Sequence, residues 1–597
     1  METLLTLPQQ GMDQLTGWLA ANPQLCGWFT MGVRFVFPVL ALLILLRQIR
    51  SLLTVPCVPE VWAYLTLPNG VGEPLTHWEN ILGRSGSCDI SLSYPTVSRQ
   101  HAALIRGEDG SWTVYDLGSK VGVSVNGTPV EGQRELAYGD VLSLGGVETV
   151  LLPAAPEDKS ARRQRGRAPV SLWPSLVLLT VFQVLCALQL TIAAGTEAQV
   201  VLPGAFLCLT LIMWVYFLSM RLLRRVGFEM ELIAFFLSTL SLAVTASSAP
   251  GALFKQFLAL LLGLVFFLVL GVFLRDLQRA KKIRWLMAGA AMGLVSLTLV
   301  LGAAPQFGAA NWVRIGALSL QPSELAKICY IFAGAATLDR LFRKRNLGLF
   351  ILLTGVCLGS LALMSDFGTA AIFFVTFLVI AYLRSGDFAT LALICGGGVF
   401  AALTLLSVKP YILRRFAAWG HVWEQASEGG YQQTRAMSAA ASGGLTGVGP
   451  GEGWLHRIGA ADTDLVFGML CEEWGLIIAV LAVLCICTLA VFAVRACRAG
   501  RSSFYVIAAC AATSMMVFQT CLNVFGSVDI LPLTGVTFPF VSNGGSSMLA
   551  SWGLLAFLKA TDTRPQASFA IRLPSRREER RSAGLTPKAA PTWEENT

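Results

Sequence analysis

The chain has 597 residues, of which 54% are hydrophobic and only 14% charged, and its mean hydropathy is +0.63. These values exclude a soluble globule and fit a polytopic helical membrane protein. The net charge of +9 calls for no nucleic acid, because the basic residues gather beside apolar segments, as membrane topology predicts.

In chain order, residues 1–24 are polar and lack a basic leader, so no cleaved signal peptide is expected. An apolar segment near 28–46 makes residues 1–50 an amino-terminal anchor. Residues 56–153 leave the membrane. A basic linker, 154–170, leads to two accessory spans within 171–226, near Leu179 and Thr210. About ten further spans follow in 227–562, each near the roughly 20 residues a bilayer requires. The tail, 563–597, is basic, then rich in Pro, Glu and Thr, and is expected to be disordered. No CxxC pair occurs among the cysteines and the four histidines form no HExxH, so neither a disulfide framework nor a zinc site is indicated.

Six basic stretches fix the topology: 47–50, 221–225, 275–284, 339–346, 495–501 and 572–581. Counting spans puts them all on one side, which the positive-inside rule makes the cytosol. The 56–153 region and the tail share that side. Arg314, Asp366, the loop near 409–463 and the segment 526–541 fall on the outer side.

The segment 311–327, NWVRIGALSLQPSELAK, brings Arg314, Glu324 and Lys327 to the mouth of an apolar span. Charge at membrane depth commonly marks a substrate path or a catalytic site. Pro322 suits a first helical turn, Glu324 faces the positive end of the dipole, and Lys327 lies one turn on, within pairing reach. A capped helix with a structural salt bridge is an equal alternative. Asp464, in ADTD before a long apolar run, and Asp366, in MSDFG, are good helix-capping positions as well as candidate acids. Gln432 and Arg435 lie in a Gly-rich outer loop.

Residues 56–153 read as β-rich. Runs at 62–67, 101–106 and 112–117 are β-prone, and Asn126-Gly127 is a hairpin signal. The ordered motifs Gly83-Arg84, Val97-Ser98-Arg99-Gln100-His101, Asp116-Leu117-Gly118-Ser119 and Val125-Asn126-Gly127 resemble a forkhead-associated (FHA) domain, a β-sandwich that binds phosphothreonine peptides. The resemblance implies that Arg84, Ser98 and Ser119 contact the phosphate, with Arg99 nearby and His101 structural. A guanidinium with hydroxyl donors suits a phosphate dianion. Val121 stands where the family usually has an Asn that contacts the peptide.

From about 227 to 562 five outer-side motifs resemble the SEDS family, the RodA/FtsW/SpoVE-like proteins. That resemblance implies a ten-span fold and polymerisation of lipid II into peptidoglycan glycan strands. It also implies a class B penicillin-binding protein as partner, in a bacterial cell membrane with the active site extracytoplasmic. The family's PEAHTDF maps onto 459–465, which makes Asp464 the catalytic acid, but Asp462 replaces the His and the Pro-Glu is absent. The family's SYGG is here Ser542-Asn543-Gly544-Gly545, and its QPD is Met364-Ser365-Asp366. Arg314, Glu324, Lys327, Asp366, Arg415 and Gln432 are the implied substrate contacts. Arg314, Lys327 or Arg415, with Mg²⁺ or another divalent cation as a candidate helper, would stabilise the departing diphosphate. A lipid-precursor flippase and a non-catalytic scaffold are the competing functions.

Overall fold

The computed structural model describes residues 2–54, 59–86, 88–107, 109–154, 171–302, 312–315, 318–338, 344–385, 388–408, 417–497, 499–564, 567 and 569. The basic linker and Arg415 lie outside the described residues.

Residues 2–21, which read as merely polar, form a helix, α1 (Glu2–Ala21), that runs into α2 (Pro23–Thr54). Two β-sheets follow. One contains β1 (Ala63–Thr66), β2 (Gly72–Leu75), β7 (Val123–Val125), β8 (Thr128–Pro129), β10 (Val141–Leu144) and β11 (Val147–Pro153), in the order β2-β1-β11-β10-β7-β8. The other contains β3 (Glu79–Gly83), β4 (Ile90–Ser91), β5 (Ala102–Arg106), β6 (Trp112–Asp116) and β9 (Gln133–Leu136), in the order β4-β3-β5-β6-β9. Alternating residues such as Leu65, Leu82, Leu104, Val114 and Leu142 are fully buried, as a sandwich core requires. Asn126 and Gly127 both have positive φ (51° and 77°), the mirror-image turn that matches strand twist in a two-residue hairpin.

The helical part opens with α3 (Trp173–Ala194) and α4 (Val201–Leu222). Next come α5 (Glu229–Ser248), α6 (Leu253–Phe273), the short α7 (Leu277–Lys282) and α8 (Arg284–Leu301). A hairpin of β12 (Val313–Ile315) and β13 (Leu318–Leu320) precedes α9 (Pro322–Leu338), which starts at the proline as expected. Then follow α10 (Lys344–Leu363), α11 (Phe367–Ser385), α12 (Phe388–Val408) and α13 (Tyr431–Gly443). The chain ends in α14 (Val466–Cys497), α15 (Ser503–Ser527) and α16 (Gly545–Ala560). Among the described residues eight helices are long and apolar enough to cross a membrane, so the protein is a multi-pass membrane protein. Apart from the short α7 and α13, ten helices run from Glu229 to Ala560 among the described residues, and five of the eight long apolar ones are among them.

The sandwich sits on the loop between α14 and α15. Arg501 donates twice to Glu60, Nε to Oε2 at 2.8 Å and Nη2 to Oε1 at 3.0 Å, with both side chains buried. Glu79 accepts from Ser502 Oγ and Ser503 N, both at 2.9 Å. Trp78 N donates to Arg501 O at 2.6 Å. Lys281 of α7 approaches Glu79 at 4.0 Å. The basic loops 275–284 and 495–501 therefore share one face with the sandwich.

Two expectations change here. The tail does not leave the protein at 563: Arg564 is buried between Asp562 and Glu229 (Nη2 to oxygen 2.6 and 3.1 Å), and Phe569 packs on Phe267 at 4.8 Å. Burial would raise the Asp562 carboxyl, but Arg564 and Lys559 outweigh it and hold it below the usual carboxylate range. Nor is the amino-terminal segment only an anchor, and the accessory spans share its packing. Phe37 of α2 lies 4.9 Å from the ring of Trp474 in α14, and Phe182 of α3 stacks on the same ring at 5.7 Å. The spans buttress α14 because their bulky apolar side chains find their complement there.

Replacing Arg501 with Ala strands the Glu60 carboxylate in a buried contact. Loss of roughly 3–5 kcal/mol is expected for breaking such a pair. Thermal unfolding in detergent and limited proteolysis of the full chain should show the sandwich released at lower temperature than in the parent.

Candidate functional site

On the face opposite the sandwich, the loop 459–465 leads into α14. Its shape is set by three successive carbonyls, each met by a donor from another element. Asn543 N donates to Asp462 O at 2.9 Å. Ser542 Oγ donates to Thr463 O at 2.7 Å. Asn523 Nδ2 donates to Asp464 O at 3.0 Å and to Val536 O at 2.8 Å. Ala460 adopts φ 62°, uncommon for a residue with a Cβ, and its carbonyl accepts from Asp464 N at 2.9 Å. Gln432 Nε2 donates to Gly459 O at 2.9 Å, so it holds this loop from α13.

Asp464 itself is half-buried. The cap position of α14 is taken by Leu465, whose side chain makes no capping hydrogen bond. The Asp464 Oδ2 lies over Gly535, 3.2 Å from where a Cβ would stand; Gly535 has φ 69°. A bare glycine there leaves the carboxylate room on that side.

Behind the loop, α14 contains a π turn, Leu470–Trp474. Just after it the ladder breaks at Gly475, which has φ 84°, so the carbonyls of Glu472 and Glu473 accept from Val448 N (2.9 Å) and Gly449 N (3.0 Å) of the Gly-rich loop, while Leu476 N donates to Gly444 O (3.0 Å). A Cβ on Gly443, Gly447 or Gly475 would strike backbone across this contact. The two carboxylates complete it: Glu472 accepts from Trp454 N and Leu455 N at 2.9 and 3.0 Å, and Glu473 from Gly451 N at 3.0 Å and from Ser247 Oγ. Both are 1% exposed, interior packing positions as the sequence suggested.

Glu324 and Lys327 are buried, at 4% and 1% exposure. Lys327 Nζ donates to Glu324 Oε1 at 2.8 Å and to Gln519 Oε1 at 2.9 Å. Gln519 in turn donates to Thr537 O at 2.9 Å. This is the salt bridge of the capped-helix reading. Lys327 spends its charge inside the bundle, bracing the loop 529–544. Asp366 is likewise a cap: at 6% exposure it accepts from Thr369 N at 3.1 Å. Arg314 lies on β12 opposite Ser319. Arg435 leans over the ring of Tyr431 at 5.3 Å. Sequence reasoning missed Gln519 and Asn523. Their signal was two amides four residues apart in an apolar span, where polar groups are expensive and therefore functional.

A divalent cation gains little from these groups. Among the described residues no three His, Cys, Asp or Glu side chains converge so as to hold a metal ion. Any Mg²⁺ would depend on substrate diphosphate oxygens for most of its ligands.

The sandwich carries a second site. Three loops meet: Arg84 N donates to Ser98 O at 2.9 Å, and Lys120 N donates to Ser98 Oγ at 3.1 Å. Ser119 Oγ accepts from Gly122 N at 3.0 Å. Both hydroxyl oxygens thus accept from backbone. Arg84 and Arg99 are exposed beside them. His101, fully buried, accepts Ser98 N on Nδ1 at 3.0 Å, so Nε2 carries the proton toward Gly122 O at 3.1 Å. It is structural, as expected.

Two families match this chain. The FtsW/RodA/SpoVE family, described as cell cycle protein, matches residues 220–566, and the FHA domain matches 80–145. The chain is 28% identical over 324 residues to peptidoglycan glycosyltransferase RodA of Mycobacterium tuberculosis (strain ATCC 25618 / H37Rv), covering 51% of this chain and 69% of that protein. It is 33% identical over 272 residues to the probable peptidoglycan glycosyltransferase FtsW of Escherichia coli O157:H7, covering 43% of this chain and 64% of that one. A solved chain of a peptidoglycan synthase complex is 27% identical with a TM-score of 0.47, covering 57% of this chain and 98% of that chain.

Removing the guanidinium in Arg84→Ala should weaken binding of a phosphothreonine peptide to the full chain at least tenfold. The unphosphorylated peptide should bind parent and variant equally poorly, as read by fluorescence anisotropy.

Proposed function

Because the chain belongs to the FtsW/RodA/SpoVE family, we propose that it is a peptidoglycan glycosyltransferase that polymerises lipid II, with Asp464 as its general base. The observation that carries this reading is the presentation of Asp464: its backbone is held by Asn523, Ser542 and Asn543 while its carboxylate is left over Gly535.

One carboxylate suffices for this chemistry. Glycoside hydrolysis commonly needs two because a sugar alkoxide leaves poorly. A lipid diphosphate leaves readily once its charge is balanced. Asp464 takes the proton from the acceptor sugar's 4-hydroxyl as that oxygen attacks the donor's anomeric carbon. The bond from that carbon to the diphosphate oxygen breaks, the electron pair leaves with the diphosphate, and the anomeric centre inverts. Arg314 and Arg415 are assigned to the diphosphate from sequence alone. The positive-inside count supports an extracytoplasmic site with the sandwich in the cytosol. A class B penicillin-binding protein supplies transpeptidation on the outer side. A phosphothreonine protein binds at Arg84, Ser98, Arg99 and Ser119.

The isosteric change Asp464→Asn keeps the backbone contacts and removes the base. Purified protein with lipid II should lose roughly 10²–10⁴-fold in rate, read as glycan strands on a gel. A variant as fast as the parent would overturn the reading.

A further inference from the structure

Two of the positions where the motifs around the site depart from the family pattern touch each other. Asp462 stands where the family has His, and Asn543 where it has Tyr. Asn543 Nδ2 donates to Asp462 Oδ2 at 2.7 Å, while its backbone N donates to Asp462 O at 2.9 Å. Ser248 Oγ of α5 lies 3.1 Å from the same Oδ2. Both residues are half-buried, where a charge-assisted bond is less screened than in open water.

We infer that Asp462 and Asn543 form a positioning pair that locks the loop carrying Asp464 to the loop before α16. The contact is two-pointed, through side chain and backbone, so it fixes orientation as well as distance. Asp462 turns its carboxylate toward Asn543 and Ser248 and is two residues from the base, so it acts through Asp464. The lock is specific to this pairing of acid with amide. A His or a Tyr at either position alone would leave the other without this partner. These two departures therefore act as one paired contact rather than as two separate losses. This inference rests on the reading of Asp464 as the base.

The test is a charge-swap cycle in the full chain, with kcat, KM and amide exchange across 459–465 all measured. Asn543→Asp places two carboxylates in contact. It should lower kcat roughly ten- to a hundredfold, the scale of a misplacement of about 1 Å, with KM within about twofold. Exchange across the loop should rise. Adding Asp462→Asn to it restores an acid–amide pair with the charge moved across. The double variant should recover most of kcat and of the exchange protection. Single variants that match the parent in both readouts would overturn the inference. So would additive losses without recovery, since contacting residues should couple. If the parent makes no glycan, the assignment of the base fails instead, and the exchange cycle still decides the pair.

Discussion

The break in α14 at Gly475, just after its π turn, is the constraint on which the outer face depends. An α-helix consumes its own carbonyls and offers nothing to a neighbour. The non-helical Gly475 interrupts that ladder, and the Gly-rich loop takes the carbonyls of Glu472 and Glu473 through Val448 and Gly449. Glu472 and Glu473 then bind the loop's next amides. Without glycine at 443, 447 and 475 the two backbones could not approach. The turn also swings Trp474 toward Phe37 and Phe182, so the accessory spans reinforce the distortion from the far side. π turns are costly and rare, and they recur at functional sites.

The same two helices, α14 and α15, reach both ends of the molecule. At one end the loop joining them carries Arg501, which holds the sandwich through Glu60. At the other end α14 begins just after Asp464, and α15 supplies Asn523 and Gln519, which fasten the two site loops. Helices are stiff elements. The Arg84–Ser98 site of the sandwich and the candidate base are therefore attached to one shared hairpin rather than to independent domains.

Buried charge is used here to define geometry. Lys559, within reach of Glu231 (3.2 Å) and Asp562 (3.5 Å), and Arg564, paired with Glu229 and Asp562, tie α16 and the start of the tail to α5. Lys327 and Glu324 do the same between α9 and α15. Buried pairs add little net stability, because desolvation offsets the attraction, but their directional bonds select one arrangement of otherwise interchangeable apolar helices. Lys327 shows the duality: at sequence level, a charge near a membrane surface looks the same whether it faces a ligand or a partner.

The sequence by itself determined the membrane class, the strand-rich module within 56–153, the start of α9 at Pro322 and the grouping of the basic loops, because each follows from local composition or short-range chemistry. The hairpin at Asn126-Gly127 and the structural role of Glu472 and Glu473 were legible for the same reason. Only the tertiary structure decided what each polar residue faces. Asp366 and the Glu324–Lys327 pair turned inward, Arg564 packed against a helix more than 300 residues earlier in the chain, and Asn523 met Asp464 across 59 residues. A side chain's partner over such separations is chosen by how helices pack, and a single sequence carries no term for that choice.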